Sequence, residues 1–100
     1  MGESEALDGE GRSSGGIMKI QLHPHAIERA NERGATKDEV EDTVLHGEEF
    51  PVKHSRTGFR KTTIFNDTWQ GEKFYAKQIE CYAVKENDIW LVISVIVRYF

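Results

Sequence analysis

Three basic side chains recur at four-residue steps in the stretch HPHAIERANERG, residues 23–34: His25, Arg29 and Arg33. On a helix each such step drifts by about 40°, so His25 and Arg29 are neighbours and Arg33 stands about 80° round from His25. Histidine, with a free pKa of ~6.5, suits proton transfer near neutrality. The planar fork of arginine suits phosphate. Together they could form a proton-transfer group beside cations that hold a phosphate as charge builds on it. The expected catalytic set is therefore His25 as acid/base with Arg29, Arg33 and, from the last strand, Arg98. Arg60, Lys61 and Lys53 are the expected phosphate contacts, and Trp69, in a polar stretch, is the expected platform for a base.

Each of these residues also has a plainer use. His25 near a helix start can cap or pack. Arg29 and Arg33 can pair with Glu28, Glu32 or Asp42. Arg98, in an apolar strand, needs an anionic partner, and Glu80 is an internal one. Arg60 and Lys61 are adjacent on a strand, so only one of them can point at a given face. His23 and His25 lie either side of Pro24 without a cysteine or carboxylate at ligand spacing, so no metal site is expected there. Neither metal nor cofactor enters this reading.

The elements that must position these residues follow from pattern. Lys19–Leu22 alternates polar and apolar, as a short strand does. Pro24 fits a helix start, Ala26, Ile27 and Ala30 form the helix's apolar stripe, and Gly34 supplies a left-handed stop. Thr36 and Glu39 match a capping box for a second helix, with Val40, Val44 and Leu45 at helical spacing and Gly47 past its end. After Gly47 the texture turns to strands: Phe50–His54, edge-like because of Pro51; a turn at Gly58; Phe59–Phe65; a polar loop over residues 66–72; Phe74–Val84; a turn over residues 85–88; and Ile89–Phe100, apolar on both faces and so central. Strict alternation along the last strand groups Trp90, Val92, Ser94, Ile96, Arg98 and Phe100 on one face. The expected architecture is α+β, an N-terminal helix pair packed on one face of a three- to four-stranded antiparallel sheet, with the other face open.

The 100 residues allow one domain at most. Residues 1–16 hold five glycines, three serines and the acids Glu3, Glu5, Asp8 and Glu10 against Arg12, and are expected to form a flexible acidic Gly/Ser tail. The folding unit is then residues 17–100. The net charge of −4 lies mostly in that tail, leaving 12 cations against 13 acids in the domain. The distribution is uneven, with six acids and no Lys or Arg over residues 38–49, and four cations and no acid over residues 53–61. A near-neutral domain with a local basic segment can take an anion without binding nucleic acid indiscriminately. The single cysteine, Cys81, excludes an intrachain disulfide and suits a reducing, cytoplasmic setting. The acidic start is unlike a secretory signal, and no apolar run is long enough to span a bilayer.

The chain resembles the DUF4258 family. The pattern HA-x-x-R-x-x-x-RG is met by His25-Ala26, Arg29 and Arg33-Gly34, the acidic helix with a Glu-Val pair by Glu39-Val40, and the closing strand by VISVIVRYF. The likeness covers about residues 20–100; Ser94 stands where threonine is usual, and the acidic tail is outside the pattern. It implies the fold shared by barnase, EndoU, colicin D and RelE-type toxins, with a helix pair on a four-stranded antiparallel sheet, and it implies metal-independent RNA cleavage. Two functions follow as expectations. One is a RelE-like ribonuclease or toxin acting on RNA. The other is a non-catalytic module that uses the open sheet face against an antitoxin-like protein or a second copy of itself.

Overall fold

A computed structural model describes residues 19–100; the expected tail lies outside the described residues. The elements are β1 (Lys19–Leu22), α1 (Pro24–Glu32), α2 (Lys37–His46), β2 (Glu48–Val52), β3 (Arg56–Trp69), β4 (Glu72–Glu86) and β5 (Ile89–Tyr99). The strands form one five-stranded sheet in the order β1-β5-β4-β3-β2. β1 runs parallel to β5, and every other neighbour is antiparallel. The fold is α+β, but the sheet is mixed and has five strands rather than three or four antiparallel ones. The parallel pair joins the first strand to the last, a contact between segments some 70 residues apart that no hairpin signal announces.

Local signals account for the helices. His23 caps α1 through its ring, whose Nδ1 accepts the His25 amide at 3.1 Å, and Pro24 opens the first turn. Gly34 ends the helix at φ +83°, where a Cβ would lie 2.7 Å from the Trp69 ring. The capping box of α2 is complete: the Glu39 amide donates to Thr36 Oγ1 at 3.1 Å, and the Thr36 amide donates to Glu39 Oε1 at 2.9 Å.

α1 packs on β5, and α2 packs on β4 and β3. The contact is made by small residues. Ala26, Ala30, Ala35, Val40 and Thr43 are buried against Phe59, Ile79, Cys81, Ala83, Val92 and Val95. Alanines let the short helix approach the sheet closely, so Ile27 and Leu45, expected in the apolar stripes, lie at the margins, 42% and 58% exposed.

The sheet departs from the expected pattern in three places. Tyr82 pairs with Ser94 and Ala83 with Val92, leaving Ile93 as an unpaired extra residue. This bulge switches the parity of β5. Val95, Val97 and Tyr99 face the helices on one side of it, and Val92 and Trp90 on the other, so Val92 and Val95 are both fully buried. The single alternating face expected for Trp90–Phe100 is therefore broken at Ile93. The stretch expected as a loop over residues 66–72 is mostly strand: β3 runs on to Trp69 past an irregularity between Ile64 and Asp67, and only Gln70 and Gly71 turn, at φ 51° and 83°. The turn expected at Gly58 lies instead at His54 and Ser55, at φ 65° and 61°. Gly58 sits inside β3, opposite Phe50 and Tyr82, where a Cβ would lie only 2.3 Å from the Phe50 ring.

Candidate functional site

The residues expected to form one cluster are dispersed by the fold. His25 is exposed in the first turn of α1 with its ring stacked on His23, centroids 5.6 Å apart and planes 12° apart. Arg29 is exposed on the same helix. Arg33 turns inward at the helix end, and its Nη1 donates to the Val95 carbonyl at 2.9 Å, tying α1 to β5. Lys61 faces the helices and pairs with Asp42. Lys53 is exposed in the turn between β2 and β3. Trp69 stacks on Tyr99 at 5.3 Å and 15°, which occupies one face of its indole. Opposite strand parity separates Arg60 from Lys61, as expected.

Arg60 and Arg98 do meet, on the face turned away from the helices. They alternate with the core residues Phe59 and Val97, and Glu80, between them on the central strand β4, alternates with Ile79 and Cys81. Arg60 Nε donates to Glu80 Oε1 at 3.0 Å and Arg98 Nη1 donates to the same oxygen at 3.2 Å. The Tyr82 hydroxyl donates to Glu80 Oε2. The cluster is braced from both sides. Arg98 Nη1 also reaches Gln78 Oε1 at 3.3 Å, and Gln78 Nε2 donates to Thr62 Oγ1 at 3.0 Å. The Arg60 guanidinium lies over the Phe50 ring, 4.6 Å from its centroid, with Glu48 Oε1 at 3.7 Å. The space left by Gly58 admits that ring.

The Glu80 side chain is only 5% exposed, whereas Arg60 and Arg98 are 37% and 46% exposed. Burial pushes the Glu80 carboxyl up, but the hydrogen bonds from Tyr82, Arg60 and Arg98 outweigh it and hold the group below the ordinary glutamate range. The same bond to Glu80 raises the Tyr82 phenol. A guanidinium has five N–H donors, and each arginine commits only part of its fork to Glu80. The arrangement is a buried carboxylate overlaid by two half-exposed cations, open to an oxyanion arriving from solvent.

A second polar cluster lies on the helix side. Lys77, 5% exposed, donates to the Gly34 carbonyl at 2.6 Å and to both Glu39 oxygens at 3.0 and 3.1 Å. Its ammonium also stands 5.5 Å from the Phe65 ring centroid and 5.9 Å from that of Tyr99. The Tyr99 hydroxyl donates to the Arg33 carbonyl at 2.7 Å. Lys77 and Tyr99 together satisfy carbonyls at the turn between the helices. Burial raises the Glu39 carboxyl, but the Thr36 amide and Lys77 outweigh it and bring it below its usual value. This cluster is structural, because its donors and acceptors are committed to one another.

The two glutamates set a pH dependence. Both titrate below the ordinary value of 4.5, so between that value and their native ones the folded chain binds fewer protons than the unfolded chain. Stability is then full above the ordinary value and falls as pH drops through the native ones. Urea midpoints are expected to hold steady down to about pH 5 and to fall steeply below about pH 4. A Glu80→Gln variant should show a shallower fall, and an unchanged slope would remove Glu80 as a source.

Among the described residues no group of three or more His, Cys, Asp or Glu is placed to hold a metal ion, and no helix is long and apolar enough to cross a membrane. Cys81 is buried, and burial with the nearby Glu80 charge pushes its thiol up to about 12. The signal that could have led to the site was present in the sequence: Gln78, Glu80 and Tyr82 interrupt one face of a central strand and match Arg60 and Arg98 on the flanking strands. Spacing alone marks Glu80 as a partner for Arg98 and assigns Tyr82 no place in the cluster. Comparison with protein-family models, with curated proteins and with solved structures finds no match.

Proposed function

We propose that the open sheet face binds RNA through Arg60 and Arg98, and that Glu80 serves as the base in a metal-independent cleavage. The observation that supports this most is the convergence of two half-exposed arginines, from strands on either side of β4, on one buried carboxylate. A phosphodiester competes with Glu80 for the two guanidiniums. As the arginines turn to the phosphate, Glu80 loses the donors that hold it acidic and becomes a better base. It then takes the proton of the 2′-hydroxyl, whose oxygen attacks phosphorus, and the bond to the 5′-oxygen breaks. Tyr82, already a hydrogen-bond donor in the cluster, returns a proton to the leaving oxygen. The products are a 2′,3′-cyclic phosphate and a 5′-hydroxyl. The resemblance to DUF4258 and the RelE-type fold implies the same reaction, with His25 removed from the catalytic role. The reading places the protein in the cytoplasm, where RNA is available and Cys81 stays reduced.

The test is incubation of the full chain with mixed RNA in EDTA. The expected result is cleavage leaving cyclic phosphate ends, reduced at least about 100-fold in Glu80→Gln and Arg98→Ala and unchanged in His25→Ala. Circular dichroism on each variant separates loss of chemistry from loss of fold. Absence of both cleavage and binding at low salt removes the reading. It would leave the second one, a module that docks an antitoxin-like protein or a second copy of itself on this face. The half-buried Phe50, Val84, Leu91 and Ile96 around the ion cluster favour that alternative, and sedimentation would then show a concentration-dependent mass.

A further inference from the structure

Next to the arginine row, along the strand direction, the open face becomes apolar. Ile64 pairs with Ala76, and Ala76 exchanges backbone hydrogen bonds of 2.9 and 3.1 Å with Phe100. Ile64 and Phe100 lie an even number of residues beyond Arg60 and Arg98, so alternation places them on the same face. They are 73% and 60% exposed. Tyr75, 66% exposed, stands beside them in a bulge where its amide and that of Ala76 share the Phe100 carbonyl, at 2.7 and 3.1 Å. Exposed apolar residues are ordinary when scattered singly. Here Ile64 and Phe100 stand in one row with Tyr75 next to it in the chain, and the next row along the strands is the bridged set Thr62, Gln78 and Arg98.

We propose that the Ile64–Phe100 row is a base-stacking subsite, so that the RNA taken by the arginines is single-stranded, with an unpaired base lying on Phe100 while its phosphate lies at Arg98 and Arg60. This rests on reading those arginines as a phosphate site. Two residues of strand, about 6.8 Å, separate Arg98 from Phe100, which is the scale of one nucleotide from phosphate to base. The faces of bases in a duplex are already stacked and cannot reach an aromatic ring. Sequence-tolerant recognition of unpaired bases uses an exposed ring beside cations. A protein partner fits less well, because this row is narrow and bordered by charged and amide side chains.

The experiment measures binding of the full chain, in EDTA and at low salt, to a labelled single-stranded RNA oligonucleotide and to the same strand in a duplex. Single-stranded RNA is expected to bind at least about tenfold more tightly. Phe100→Ala should weaken that binding about tenfold, and Phe100→Trp should restore it. Neither should alter the slope of log affinity against log salt, whereas Arg98→Ala should lower that slope by about 0.7. Equal affinity for the two RNA forms, or no effect of Phe100→Ala, overturns the stacking subsite and leaves the phosphate site standing. So does a change of oligomeric mass in Phe100→Ala, which would show that a second copy covers the row. If the wild-type chain binds neither RNA form, both the subsite and the phosphate site are removed.

Discussion

Replacing Lys77 with alanine is expected to lower the free energy of unfolding by about 3 kcal/mol, from the loss of charged hydrogen bonds and buried methylenes. The residue is 5% exposed and serves three functions at once. Its ammonium satisfies the Gly34 carbonyl at the turn between the helices, holds Glu39, and stands near the Phe65 and Tyr99 rings, with the stem buried behind it. The ion pair alone contributes little, since Glu39 is 38% exposed and water screens it. The larger part comes from the carbonyl left without a donor and from the lost packing. Lys77→Met keeps most of the stem, so about half the loss should remain. In thermal unfolding the alanine variant should fall by roughly 12–24 °C. Losses below about 1 kcal/mol in both variants would show that the turn between the helices is held by other contacts.

Glu80→Ala is expected to cost about 2–3 kcal/mol, less than the removal of one partner from a fully buried pair because Arg60 and Arg98 can turn to solvent. The cost arises from two like charges left side by side over an apolar strand, and from a Tyr82 hydroxyl without its acceptor. A second substitution distinguishes this from simple loss of packing. Adding Arg98→Ala to Glu80→Ala removes one of the unpaired cations, so the double variant should be less destabilised than the sum of the single ones by about 1 kcal/mol or more. Strict additivity would mean that the three groups do not act as a unit.

Much of the scaffold was legible because its signals are local. The cap at Thr36 and Glu39, the stop at Gly34, the proline at the start of the first helix and the change to strands after Gly47 each depend on residues within one or two turns of each other. The interior place of Ile89–Tyr99 was legible only in part: its apolar run keeps it off the sheet edge, but β4 holds the middle of the sheet and only one face of β5 is covered by helices. The continuation of the β3–β4 hairpin past residue 65 was not legible. Asn66, Asp67 and Thr68 have no buried face there, so no alternation marks them as strand. The extra residue Ile93 was not legible either. One unpaired residue within an apolar run leaves composition unchanged while switching the side on which every neighbour stands.

The site divides in the same way. From the chain alone came the residue types, the opposite directions of Arg60 and Lys61, the need of Arg98 for an anion, and Glu80 as a source of one. The chain also suggested that His25, Arg29 and Arg33 would join them, because helical spacing aligns those three along one flank. Only the tertiary structure decided that this flank and the Arg60–Arg98 pair lie on different sides of the molecule. Spacing within a helix fixes angles about its own axis. Which sheet face a helix covers, and which strands lie side by side beneath it, depends on contacts between segments far apart in sequence. Those contacts were selected by the burial of Ala26, Ala30, Val92 and Val95, and that burial leaves the arginines, with Glu80, on the opposite face.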